Sequence, residues 1–337
     1  MSDNLYNNID IIKLLSLYEK KGKEFYYQDV FSKDEKTISK KFLLDDYLNL
    51  ASCLEINISP NKIKNIIKNG YLPKNKEEQL FINFVNVFNL INSKSDHLSF
   101  NIFDINKIIN GINYNLSNLK KSESVKNLLD PSKSQILEQI INDYLSKKDD
   151  EKYEYLYLVA NVITKFYNEK FYLTFNFETS LFLLYLLIFK KFKALKYCSF
   201  FASLYKYQED LKHAFSNSEY HYKKGIKDTT FIYETLIDIM LDVYKKVDNY
   251  CLQYQVENTQ SKQQNLRQII LQRNSYFSVK ELREEFPNTS KATIDRTLIK
   301  LKAEGFIDCQ IKGRASFWQV TNKGKEETNI STNLFDE

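Results

Sequence analysis

Ser278-Val279-Lys280-Glu281-Leu282, then Phe286-Pro287-Asn288-Thr289, then Ser290-Lys291-Ala292-Thr293-Ile294-Asp295-Arg296-Thr297-Leu298-Ile299-Lys300-Leu301-Lys302-Ala303-Glu304-Gly305-Phe306-Ile307 is the stretch on which the reading of this chain turns. The first piece predicts a short helix that stops at the Pro287-Asn288 turn. Thr289 or Ser290 is placed to cap a second helix, whose Ile294, Leu298 and Leu301 fall on one face at i, i+4, i+7. Gly305 ends that helix. Phe306 to Ile311 and Phe317 to Val320 then alternate as two short strands around Lys312-Gly313-Arg314.

Charge gathers in the same place. From Leu266 to Lys325 there are twelve Lys and Arg against six acids, a net of +6, while the whole chain is only +5. A compact positive surface is what displaces counterions from a phosphate backbone. The two helices and hairpin resemble the winged helix-turn-helix of many bacterial transcription regulators, a resemblance confined to about the last fifth of the chain. It implies double-stranded DNA as partner. Lys291, Thr293 and Arg296, early in the second helix, would meet base edges, and Lys312 and Arg314 on the wing would meet phosphate or minor groove. Packing of this module against protein is the competing use.

The remainder is bounded by composition. With 337 residues, seven Gly, four Pro and 43% hydrophobic residues, the chain predicts a mostly helical protein of two or three domains with short connections. Tyr and Phe, 24 of each, read as core filler. Cys53, Cys198, Cys251 and Cys309 lack paired spacing, which predicts buried thiols and a reducing compartment. His97, His213 and His221 suggest no metal set. Met1 to Asp10 is polar and acidic, so a cytoplasmic chain is expected. The apolar run Leu181 to Phe189 is too short to span a bilayer and predicts a helix buried on all sides, so no membrane partner is expected.

A second resemblance lies in the middle. Ala51 to Ser59 with Glu55, a short helix over Lys62 to Gly70, Leu72 to Gln79 leading into Phe81 to Val85, an early helix over Leu98 to Ile112, Ala202 to Tyr205, and Gly225 to Tyr233 before Leu236 to Leu241 together resemble Fic-domain proteins over residues 45 to 250. In that family a Ser/Thr-rich turn ending in Glu-Gly or Glu-Asn starts a segment that can obstruct the nucleotide site. Glu55 stands at its place, with Ile56 where the Gly or Asn would be. The resemblance implies a helical Fic-like domain followed by a small winged helix-turn-helix (α+β) domain.

Active Fic proteins carry His-Pro-Phe-x-Asp/Glu-Gly-Asn-Gly-Arg, in which the histidine is the base, the acid holds magnesium, and the glycine-flanked turn cradles phosphates. By order along the chain that motif falls on Phe171-Tyr172-Leu173-Thr174-Phe175-Asn176-Phe177-Glu178-Thr179-Ser180-Leu181-Phe182, which has no His, Gly or Arg. Asn176 and Glu178 are its only candidate remnants, for phosphate and metal respectively. Residues 112 to 130 show little strand pattern where the family has a target-docking flap. The expectation is a catalytically inactive domain with no metal, for which ATP and magnesium matter only if the pocket is retained. With nothing to inhibit, Glu55 then reads as a helix-terminal carboxylate.

The organisation expected is 1–95 as an N-terminal helical region, 96–250 as a degenerate Fic-like core, 251–264 as a polar connector, 265–325 as the winged module and 326–337 as an acidic tail. The leading function is a DNA-binding, regulator-like homodimer whose Fic-like domain serves dimerisation, sensing or contact with a protein partner. The alternatives are a divergent enzyme moving AMP from ATP to a protein hydroxyl, and a non-enzymatic scaffold for an active relative.

Overall fold

The computed structural model describes residues 11–69, 72–116, 129–259, 262–286, 289–310 and 317–326. The chain divides into two compact units, Met1–Asp248 and Asn249–Glu337. The first is helical throughout: α1 (Ile11–Gly22), α2 (Glu24–Phe31), α3 (Glu35–Cys53), α4 (Pro60–Asn69), α5 (Lys76–Lys94), α6 (Ile102–Asn113), α7 (Ser134–Lys147), α8 (Tyr155–Glu169), α9 (Asn176–Lys191), α10 (Phe200–Lys206), α11 (Gln208–Lys223) and α12 (Thr230–Thr259), whose last residues belong to the second unit.

The apolar run becomes the centre of the first unit. Every residue of α9 from Thr179 to Ile188 is buried, because α5, α6 and α8 pack around it. Its Tyr185 is ringed by Phe88, Phe189, Phe200 and Phe201 at 5.1–5.6 Å between centroids. The phenol is satisfied by donating to Asn92 Oδ1 at 2.6 Å, as a buried tyrosine requires. Beside it, Asp46 of α3 accepts from Ser199 Oγ at 2.8 Å and Phe201 N at 3.1 Å. Burial nevertheless pushes its carboxyl up to about 7.

Local chemistry sets the helix ends. Pro60 opens α4, where its missing N–H costs nothing. The early helix expected from Leu98 starts instead at Ile102. Asn101 is extended and accepts from Asp104 N at 2.8 Å, while Asp104 accepts from Ser99 N at 2.9 Å, so residues 98–101 form the cap. The α11–α12 turn closes on Gly225 at φ 78°, and brings Asp228 to 2.9 Å from His221 Nδ1, an acid partner that eight-residue histidine spacing gave no hint of. In the stretch expected as a polar connector, 251–264, the described residues are helical: α12 continues to Thr259 and α13 begins at Lys262. Glutamine is a good helix former, so its abundance there is compatible with helix. Among the described residues no helix is long and apolar enough to cross a membrane.

The second unit comprises α13 (Lys262–Leu271), β1 (Phe277–Ser278), α14 (Val279–Glu285), α15 (Lys291–Ala303), β2 (Ile307–Cys309) and β3 (Phe317–Val320). Its antiparallel sheet runs β1-β3-β2, with Phe277 opposite Trp318 and Ile307 opposite Val320. Leu266 and Ile270 of α13, Phe277, Leu282, Ile294, Leu298 and Leu301 form one core with Ile307 and Val320. Ser278 closes a capping box with Glu281 on α14, and Ser290 caps α15 by accepting from Thr293 N at 3.2 Å. Gly305 at φ 76° ends α15, a left-handed position for which glycine has no Cβ penalty.

Candidate functional site

Three places carry the residues singled out by sequence, one in the second unit and two in the first. In the second unit α15 has a clear inner and outer side. Ile294, Thr297, Leu298 and Leu301 are buried, whereas Ala292, Arg296, Ile299 and Ala303, at i, i+4, i+7 and i+11, are all exposed. Those four form a line opposite the core, as 3.6 residues per turn dictates. Arg296 therefore points outward. Lys291 is also exposed, but it lies five residues earlier, about 140° around the helix. Thr293 is half-buried and belongs to the cap: its hydroxyl lies 2.9 Å from Ser290 Oγ, and its carbonyl accepts from Thr297 Oγ1 at 2.8 Å. Lys312 and Arg314, expected on the wing, lie outside the described residues.

The cations of this unit fall into two groups. Arg267 is paired with Glu304, Arg273 with Glu285, and Lys302 with Asp308. Arg267 and Arg273 also lie over the Phe306 and Phe277 rings at 4.9 and 5.2 Å, and Lys323 donates to Glu304 O at 2.9 Å. These groups hold the fold. Lys280, Arg283, Lys291, Arg296 and Lys300 have no ion-pair partner among the described residues, so their charge faces outward undiminished.

In the first unit, Asn176 opens α9 and its side chain folds back. Tyr172 N donates to Asn176 Oδ1 at 3.0 Å, and Asn176 Nδ2 donates to Tyr172 O at 2.5 Å. Phe171 and Tyr172 are buried; Asp130 N donates to Phe171 O at 3.0 Å, and Tyr172 Oη donates to Asn106 Oδ1 at 2.9 Å. Phe175 just before α9 adopts φ 60°, and no side chain caps the helix. Glu178 is half-buried, and that burial raises its carboxyl above the usual range. The rings of its chain neighbour Phe177 and of Tyr167 and Phe215 meet one another at 4.6–6.3 Å.

Glu55 is far from that arrangement in role. It is the left-handed residue, φ 53°, that terminates α3: Glu55 N donates to Ser52 O at 3.1 Å and Ile56 N to Ala51 O at 2.9 Å, the paired bonds of a Schellman end. Its carboxylate is 72% exposed and ion-paired with Lys212 of α11 at 2.5 Å. The family's Gly or Asn is expected one residue later, at Ile56. Here the left-handed position is taken by the glutamate itself.

Sequence reasoning did not single out the cleft of about 670 Å³ between α11 and α12, lined by Tyr207, Asp210, His213, Tyr220, Phe231, Glu234 and Asp238 among others. It contains no residue of α9 or of the turn before it. Lys13 of α1 reaches Asp238 at 2.7 Å. Nor did sequence reasoning mark Ile299, because in a periodic reading an isoleucine next to Leu298 passes for core.

No protein-family model matches the chain, and no curated protein matches its sequence. Solved structures do. A Fic family protein from Desulfovibrio desulfuricans G20 superposes with a TM-score of 0.55 at 11% identity, over 92% of this chain and 96% of that one. A Fic domain containing signaling protein from Bacteroides thetaiotaomicron VPI-5482 covers 72% of this chain and 93% of its own, at 10% identity and a TM-score of 0.45. At such identity the likeness is one of fold: the chain carries a Fic-type helical fold, followed by a small α+β unit.

Proposed function

We propose that this protein is a DNA-binding regulator in which the Fic-type domain has no transfer chemistry and serves self-association, sensing or protein contact. The observation that carries the reading is the outward face of α15. Arg296 lies at its centre with Lys300 beside it, Lys291 stands exposed on the first turn about 140° around the helix, and Arg267 on α13 and Arg273 just after it are committed to ion pairs. A helix that spends its inner face on the core and leaves cations unneutralised on the outer face is suited to enter a major groove.

The start of α9 supports the other half. A magnesium-bound nucleotide needs ionised carboxylate, free backbone N–H groups that approach closely, and room. Burial favours the neutral form of Glu178, the Asn176 amide is spent on Tyr172, and Phe171 and Tyr172 fill the turn with buried rings. These residues do not fit the group, and no step is assigned to it. A cytoplasmic, dimeric protein is the setting this function suits.

Selection of sheared genomic DNA by the full-length protein, beside the Lys291→Ala/Arg296→Ala double variant, is the test. Recovery of a defined sequence by the wild type alone is expected, with the salt dependence of affinity falling by about 0.9 in log–log slope for each phosphate contact removed. Recovery of no sequence, or transfer of AMP from labelled ATP by the purified protein, would overturn the proposal.

A further inference from the structure

The exposed line of α15 holds one residue that charge does not explain. Ile299 is 67% exposed in the middle of that line, three residues after Arg296 and directly before Lys300. A single exposed isoleucine is ordinary on a protein surface. This one occupies the outermost stripe of the helix, opposite Ile294, Leu298 and Leu301, between cations without ion-pair partners among the described residues. Ala292 and Ala303, at the ends of the same stripe, are small enough to let the helix approach a partner closely.

We infer that Ile299 is a specificity-determining residue that reads the C5-methyl group of a thymine in the major groove. This rests on the DNA-binding role proposed for the unit. Three residues of helix advance about 4.5 Å, a little more than the 3.4 Å between stacked base pairs. Arg296 and Ile299 therefore address neighbouring base pairs. A guanidinium donates in pairs to guanine O6 and N7, and the only apolar feature the major groove offers is the thymine methyl. A β-branched side chain with one preferred rotamer on a helix presents its methyl groups in a fixed place at little entropic cost. The arrangement thus selects a thymine beside the guanine read by Arg296.

The experiment is a uracil-for-thymine scan of the sequence recovered by genomic selection, with affinities measured for the full-length wild type and for Ile299→Ala. Replacing one thymine by deoxyuridine removes a single methyl group and leaves pairing intact. At one position the wild type is expected to lose about four-fold in affinity, the equivalent of ~0.8 kcal/mol for one buried methyl. Ile299→Ala is expected to bind thymine and uracil DNA alike at that position, with an unchanged melting temperature because the side chain is outside the core. Wild-type protein that selects a defined sequence yet tolerates uracil at every position overturns the inference, as does a uracil penalty that persists in Ile299→Ala. Failure to select any sequence overturns instead the DNA-binding reading beneath it.

Discussion

Helices α9 and α15 are of similar length and do opposite work. α9 is enclosed for ten consecutive residues, Thr179 to Ile188, and α15 keeps one side in the core and offers the other to solvent. A helix buried all round can only organise its domain, since any side chain that might act is already in contact with its neighbours. A half-buried helix separates the two tasks by angle. The turn leading into α9 is filled by the buried rings of Phe171 and Tyr172, Phe171 lying 5.2 Å from Phe166 between centroids.

The strongest way to break the comparison is Leu184→Ala in α9. Leu184 is fully buried, and a cavity there is expected to cost up to about 5 kcal/mol. Ile299→Ala in α15 is expected to stay within about 0.5 kcal/mol. Urea unfolding of the full chain reads both, and equal losses would erase the distinction.

Next in size is a pH effect confined to the first unit. Burial holds the Asp46 carboxyl at about 7, above its unfolded value of roughly 4. The folded state therefore retains a proton that the unfolded chain releases, and stability falls as pH rises through that window. Asp46→Asn keeps an oxygen for Ser199 Oγ and Phe201 N. It is expected to flatten the decline between pH 4 and 7, recovering up to about 4 kcal/mol above it. An unchanged pH profile of unfolding would refute the assignment.

Gly324 sharpens the comparison from the side of the second unit. A Cβ there would meet Phe306 O at 2.4 Å and Val320 Cγ1 at 2.8 Å, and backbone cannot yield as a side chain can. Gly324→Ala is expected to cost about 2 kcal/mol by overpacking, read in the urea unfolding of the full chain. The smallest effect is Glu55→Gly. It relieves a left-handed non-glycine residue at the cost of one exposed ion pair, and should raise stability by up to about 1 kcal/mol. A marked loss would give the Glu55–Lys212 pair more weight than an exposed contact usually has.

Much of this was legible in the sequence where periodicity and punctuation agree. The run Leu181 to Phe189 announced a buried helix, Ser290 and Gly305 marked the two ends of α15, and Arg296 proved outward-facing as its spacing from Ile294 and Leu298 required. What was not legible depended on partners distant in the chain. β1 is only Phe277 and Ser278; two residues carry no alternation, and they form a strand because β3 is there to pair with them. The part Thr293 takes in the Ser290 cap was not legible either. The extension of α12 to Thr259 was concealed by its glutamines, and the start of α6 by a cap that residues 98–101 provide.

The ties between α13 and the elements after it bear on how this unit could be exchanged between proteins. Leu266 and Ile270 lie in its core, Arg267 reaches Glu304 behind α15, and Arg273 reaches Glu285 at the end of α14. A graft cut at the first strand would leave an open apolar floor and two widowed carboxylates. A graft that keeps these ties has to include α13, which begins at Lys262.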